Sequence, residues 1–109
     1  MASGNIDSDY EVSELPVTIS SSVGSDSSIR AFKYKTIIIV TGYINVTSEL
    51  PLRTSIATIG NYTAKSDIFQ TSLGSQNSIT RLFINSTGGV SNEKITSVGW
   101  YSFTFVAPL

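Results

Sequence analysis

Apolar residues recur at every second position in short bursts along this chain, and no stretch repeats at 3.6 residues. A period of two sends alternate side chains to opposite faces of an extended strand, so the pattern predicts β-structure from end to end. Strands are expected over 16–23, 28–34, 36–46, 56–59, 64–71, 79–85, 90–95 and 100–107. The breaks between them carry turn chemistry: Gly24-Ser25-Asp26, Gly60-Asn61, Gly74-Ser75-Gln76-Asn77 and Ser86-Thr87-Gly88-Gly89, with residues 48–53 as a loop. Seven to eight strands joined by such short links predict an all-β fold, a compact antiparallel barrel or jelly-roll with Greek-key-like connections.

The 36–46 strand is apolar on both faces. Ile38, Val40, Ile44 and Val46 share one face, assigned to the core, while Ile37, Ile39 and Tyr43 share the other. A barrel has one interior, so the outward set needs a second cover. Two covers are open at this point: another segment of the same chain, or a sister subunit, which makes Ile37, Ile39 and Tyr43 candidate interface residues. On the last strand the same phasing puts Tyr101, Phe103 and Phe105 inside and Trp100 outside.

Composition narrows the chemistry. With 109 residues the chain is sized for one domain. It has no cysteine and no histidine. That removes disulfides, thiolate and imidazole metal ligands, and every Ser-His-Asp or Cys-His arrangement. No cofactor or metal is expected, although a calcium site would need only oxygens. The net charge of −1 is unevenly spread. Asp7, Asp9, Glu11 and Glu14 precede every basic residue, and the seven Lys and Arg that follow face only Asp26, Glu49, Asp67 and Glu93. This mildly basic body lacks the clustered stripe of a nucleic-acid binder. It would tolerate an anionic sugar or phosphate. No apolar run approaches the roughly 18 residues of a spanning helix, so no membrane insertion is expected. Residues 1–14 read as a linker or a cloning scar, and 15–109 as the folded body.

The run VTGYINVTSELPLRTSIATIGNY, the hairpin RLFINSTGGV and the terminal WYSFTFVAP together resemble the C-terminal head domains of bacteriophage tail receptor-binding proteins, the lactococcal siphophage type above all. The likeness spans roughly residues 30 to 107 and rests on order and spacing. It implies a trimeric β-barrel head at the tail tip of a virion. Such heads bind host cell-wall polysaccharide or phosphopolysaccharide and join other tail or baseplate proteins through an N-terminal shaft. The shaft is absent from these 109 residues, and the acidic start then reads as its connection. In the best-studied member of the family, the segment matching 81–84 supplies a His and an Asp to the sugar and the one matching 91–93 a Trp. Here they read Arg81-Leu82-Phe83-Ile84 and Ser91-Asn92-Glu93, which implies a different receptor sugar.

Several residues are candidates for that sugar. If a three-residue turn joins Asn85 to Gly89, Arg81 lies opposite Glu93, and the pair can grip vicinal hydroxyls. The bland alternative is an exposed ion pair worth about 0–1 kcal/mol. Trp100 can stack on a sugar's apolar face, pack in an interface or be buried. Asp67, near Asn61-Tyr62-Thr63, and Arg53, in the Leu52-Arg53-Thr54 loop, are further candidates that read equally as parts of ordinary solvated surface loops. Asn45-Val46-Thr47, Asn61-Tyr62-Thr63 and Asn85-Ser86-Thr87 match the glycosylation pattern by chance in a chain where Ser and Thr exceed a quarter of the residues. A phage protein would not be modified there. The spacing Asp7-Ser8-Asp9-Tyr10-Glu11 hints at a cation loop but lacks the glycine and distal glutamate of an EF-hand.

Non-catalytic saccharide binding is thus the leading expectation. A tail-borne glycan depolymerase would need two carboxyl groups about 5–9.5 Å apart, and no recognisable pair stands out. A structural baseplate or docking module is the third reading.

Overall fold

The computed structural model describes residues 12–63, 68–74 and 79–108, with the backbone path alone for 68–74. Nine strands run through them: β1 (Ser13–Leu15), β2 (Val17–Ile19), β3 (Ser28–Tyr34), β4 (Ile37–Val46), β5 (Ser55–Ile59), β6 (Ile68–Gly74), β7 (Ile79–Ile84), β8 (Gly89–Asn92) and β9 (Gly99–Pro108). All pairings are antiparallel, in the order β1-β3-β4-β9-β6-β7-β8-β5-β2. The order is continuous on paper, but β9 meets β6 through two residue pairs only, Leu73 with Ser102 and Gly74 with Tyr101. That corner divides the structure into two packed sheets, β1-β3-β4-β9 and β6-β7-β8-β5-β2. In the second sheet, β5 lies beside β8 rather than β6, a Greek key.

The alternation read from the sequence fills the space between the sheets. Ile38, Val40, Ile44 and Val46 from β4, and Tyr101, Phe103 and Phe105 from β9, are buried with Ile56, Ile59, Leu82, Ile84 and Val90 from the second sheet. β5 buries two successive residues, Ile56 and Ala57, because its pairing with β8 shifts register between Ser55 and Ala57. Gly42 stands between Ile29 and Phe103. A Cβ there would lie 2.2 Å from the Ser28 carbonyl oxygen, so only glycine lets β3 cross that closely.

The N-terminal strand departs from expectation. One strand over 16–23 was predicted; instead β1 pairs with β3 at one edge and β2 pairs with β5 at the other. Pro16 is the hinge between them. It has no N–H for a ladder, while its carbonyl accepts the Gly60 N–H at 2.7 Å. This short segment covers an edge of each sheet and brings the strand number to nine among the described residues. β1 begins at Ser13, so Ser13 and Glu14, expected in the linker, belong to the sheet. Glu14 makes a two-pronged ion pair with Arg30, both contacts at 3.0 Å. Hydrogen bonding from Arg30 holds the Glu14 carboxyl below its usual range.

The registers also sort the loops into two ends. The described chain enters at Ser13 opposite Lys33 and leaves at Pro108 opposite Ile37, beside the 35–36 turn. The 85–88 turn and Gly60 lie at this same end. Segments 20–27, 47–54 and 93–98 gather at the other, which is called the loop end below.

Candidate functional site

The β7–β8 hairpin forms the centre of the site. Its turn closes with the Asn85 N–H donating to the Gly89 carbonyl and the Gly88 N–H to that of Asn85, both at 3.0 Å. The Asn85 Oδ1 accepts from the Thr87 N–H, the Thr87 hydroxyl and the Gly89 N–H at 3.0, 2.8 and 2.9 Å, which fixes the loop. Gly88 takes φ +96°, and a Cβ there would strike the Ile59 carbonyl oxygen. This three-residue turn sets the register, pairing Leu82 with Asn92 and Phe83 with Ser91. Arg81 therefore falls opposite Glu93, whose N–H donates to the Arg81 carbonyl at 2.9 Å. Both side chains are exposed on the outer face. Their charged groups do not form an ion pair; among the described residues the ion pair is Glu14–Arg30.

Arg53 joins them from the 51–54 loop. Its guanidinium lies 4.2 Å from the centroid of the Phe83 ring, within cation–π range. The loop is held by a buried residue. Asn92 is fully buried, and its side-chain amide donates to the carbonyls of Pro51 at 3.1 Å and Glu93 at 2.7 Å. The Arg53 N–H in turn donates to the Asn92 carbonyl at 2.7 Å, and the Thr54 hydroxyl to Pro51 at 2.7 Å. Arg53 takes a left-handed φ of 65° in this loop, a conformation that costs a non-glycine residue energy. The result is a continuous outer face at the loop end of the second sheet: Arg53 on Phe83, with Ser55, Ser91, Arg81 and Glu93 around them. Such a surface offers guanidinium donors, one carboxylate acceptor and hydroxyls to a polyhydroxylated ligand.

Trp100 lies elsewhere. It is 40% exposed on the outer face of the first sheet, where its ring meets that of Tyr43 edge to face, centroids 5.5 Å apart at 67°. The same face carries the rows Phe32–Ile39–Val106 and Tyr34–Ile37–Pro108. Ile37 and Ile39 are half-buried by these neighbours, whereas Tyr43 and Val106 remain 46% and 52% exposed. The candidates thus divide: Arg53, Arg81 and Glu93 share one sheet, while Trp100 shares the other with Ile37, Ile39 and Tyr43. Asp67 and the acidic segment 7–11 lie outside the described residues. Phe83 and Asn92 were not singled out as contributors by the sequence. Phe83 follows from the hairpin register, but nothing in the sequence marks Asn92 as buried.

No protein-family model matches the chain, and no curated protein matches it in sequence. Among solved structures, it is similar to the head domain of lactococcal phage bIL170, described as a receptor-binding domain. The match has a TM-score of 0.60 at 24% identity and covers 87% of this chain and 98% of that one. The two chains share a fold. The head-domain resemblance carried by the β4 run, the β7–β8 hairpin and β9 is therefore matched at the level of the fold over most of the chain.

Proposed function

We propose that this chain is the receptor-binding head of a phage tail protein, recognising a saccharide of the host cell surface without transforming it. The single observation that carries this reading is the outer face at the loop end, where Arg53 lies over the buried Phe83 ring and forms one solvent-facing surface with Arg81, Ser91 and Glu93. Ser13 and Pro108, near the ends of the described chain, lie at the opposite end from this surface. The fold shared with the bIL170 head domain is consistent with such a role at the virion tail tip.

In this reading Arg81 and Glu93 grip neighbouring hydroxyls from two sides, and Arg53 contributes a pre-set fork held on Phe83. A homotrimer forms through the outer face of β3, β4 and β9, around Ile37, Ile39, Tyr43 and Val106. Single-site affinity is modest, and the assembled heads supply avidity. Other tail or baseplate proteins are met through an N-terminal shaft.

The test is binding of the purified chain to cell-wall polysaccharide from a panel of lactococcal strains, read alongside release of reducing ends over time. Saturable binding to some strains, lost in the double variant Arg81→Ala, Glu93→Gln, with no reducing ends released, is the expected result. Release of reducing ends would make the chain a depolymerase instead. Binding that survives the double variant would remove this face as the receptor site.

A further inference from the structure

The loop end also holds a cavity of about 240 Å³ at the mouth between the two sheets, lined by Ile79, Thr80, Lys94, Ile95, Thr96, Ser97 and Tyr101. Its 95–101 wall is held by hydrogen bonds. Ile95 exchanges two backbone hydrogen bonds with Leu50, both at 2.9 Å, and the Tyr101 hydroxyl donates to the Ser97 carbonyl at 2.7 Å. Thr80 occupies an inward position on β7, where Leu82 and Ile84 follow as buried apolar residues. It is 5% exposed, and its Oγ1 is buried with no hydrogen-bond partner. A valine would fill the same volume without burying an unpaired hydroxyl, so the hydroxyl is free to take a partner from whatever occupies the cavity, water or a bound molecule.

We propose that this mouth is a second, separate ligand site that takes one small neutral polyol, a terminal monosaccharide or an alditol unit. The inference rests on the saccharide-binding reading above but uses none of its residues. The size fits: the cavity is smaller than the roughly 300–1,000 Å³ of sites for drug-sized ligands, yet far exceeds the ~30 Å³ share of one water. The lining fits as well. The Tyr101 oxygen has spent its proton on Ser97 and offers a lone pair, while Thr80 and Thr96 both donate and accept. Ligand hydroxyls, which also do both, satisfy that mixture. Thr80, turned about χ1 toward the cavity, makes the deepest contact, and Lys94 stands at the exposed rim.

The experiment uses the full chain and amide NMR shifts of residues 94–97, titrated with glycerol, glucose, galactose, N-acetylglucosamine and inorganic phosphate. At least one neutral polyol should give saturable shifts. Thr80→Val should weaken it about threefold to tenfold, the loss of one neutral hydrogen bond, without lowering Tm. Thr96→Val at the rim is a second variant with the same expected direction. Arg81→Ala should leave these shifts unchanged while abolishing polysaccharide binding on the outer face, so the two sites fail separately. Saturation by phosphate alone, no saturable shift with any probe, or an affinity that ignores both Thr variants would overturn the proposal.

Discussion

The guanidinium of Arg53 stacks 4.2 Å from the centre of the Phe83 ring, although the two residues belong to different segments and Arg53 is in a left-handed backbone conformation. Two opposing terms therefore meet at one position. The stack contributes about 0.5–1 kcal/mol at an exposed site, while the positive φ costs a non-glycine residue about 1–2 kcal/mol. Arg53→Ala loses the stack and keeps the strain; Arg53→Gly loses the stack and relieves it. Urea unfolding should rank the glycine variant about 1 kcal/mol or more above the alanine variant. Equal stabilities would mean that the loop relaxes and holds no strain at Arg53.

The turn of the β7–β8 hairpin gives a sharper case. Gly88 has φ +96°, and its missing Cβ would sit 2.2 Å from the Ile59 carbonyl oxygen, whose own N–H donates to the Gly88 carbonyl at 2.8 Å. Gly88→Ala should cost at least ~2 kcal/mol, because strain and a backbone clash act together. Since this turn fixes the register that sets Arg81 against Glu93, the same variant should weaken polysaccharide binding in the protein that still folds. Thermal unfolding and the binding assay together check it.

The hairpin was also the most legible part of the site. Ser86-Thr87-Gly88-Gly89 announces a turn, and once the turn is given three residues, Ser86 to Gly88, counting across it pairs Arg81 with Glu93. Period-two phasing likewise separated Ile38, Val40, Ile44 and Val46 from Ile37, Ile39 and Tyr43, because burial on one face leaves a direct imprint on the sequence. What stayed hidden depends on contacts between segments distant in sequence. Arg53 reaches Phe83 only because buried Asn92 holds the 51–54 loop, and an asparagine in a strand carries no mark of burial. Trp100 falls on the other sheet from Arg81 because β9 pairs with β4 along its full length, and local alternation says nothing about which strands are neighbours. Pro16 divides the first strand for a similar reason: the pattern shows an extended segment, not the two edges that it serves.

Tyr62 ties stability to pH. Burial pushes its hydroxyl pKa up, and the buried oxygen has no hydrogen-bond partner. The folded chain thus keeps this proton at a pH where an unfolded tyrosine, near 10, begins to lose it. Its contribution is fully present below that value and is lost as pH rises from there through the raised folded value. Tyr62→Phe should flatten the fall in stability above pH 10 and leave stability at pH 7 equal or higher, since it removes an unpaired buried hydroxyl. Chemical unfolding at pH 7, 9 and 10.5 would show this, and an unchanged alkaline slope would exclude Tyr62 as its source.

Glu14 acts at the acid end. Its carboxyl is held low by Arg30, so its contribution is present above the unfolded carboxylate pKa and lost as pH falls through the lowered folded value. The pair is exposed on both sides, so solvent screens it. Glu14→Gln should barely change stability at pH 7 and should reduce the small acid-side slope below about pH 4.5. Because the pair joins β1 to β3, hydrogen exchange at the β1 amides is the more sensitive measure, and faster exchange there at pH 7 is expected.

The proposed trimer makes a prediction that its apolar face alone would not. Val106 is 52% exposed in the row Phe32–Ile39–Val106, and Leu52 is 59% exposed in the loop beside Arg53. By composition the two are equivalent, each an exposed aliphatic residue whose replacement leaves the core untouched. If the outer face of β3, β4 and β9 is the subunit contact, Val106→Glu puts a charge where three copies meet, and desolvating it without a partner is unfavourable. Leu52→Glu keeps its charge in water. Light scattering across a hundredfold concentration range should therefore give a trimer for the unchanged chain and for Leu52→Glu, and a monomer for Val106→Glu with its own fold intact by circular dichroism. Trimers in all three would move the contact off this face, and a monomeric unchanged chain would leave Ile37, Ile39 and Tyr43 covered only by their own neighbours in the sheet.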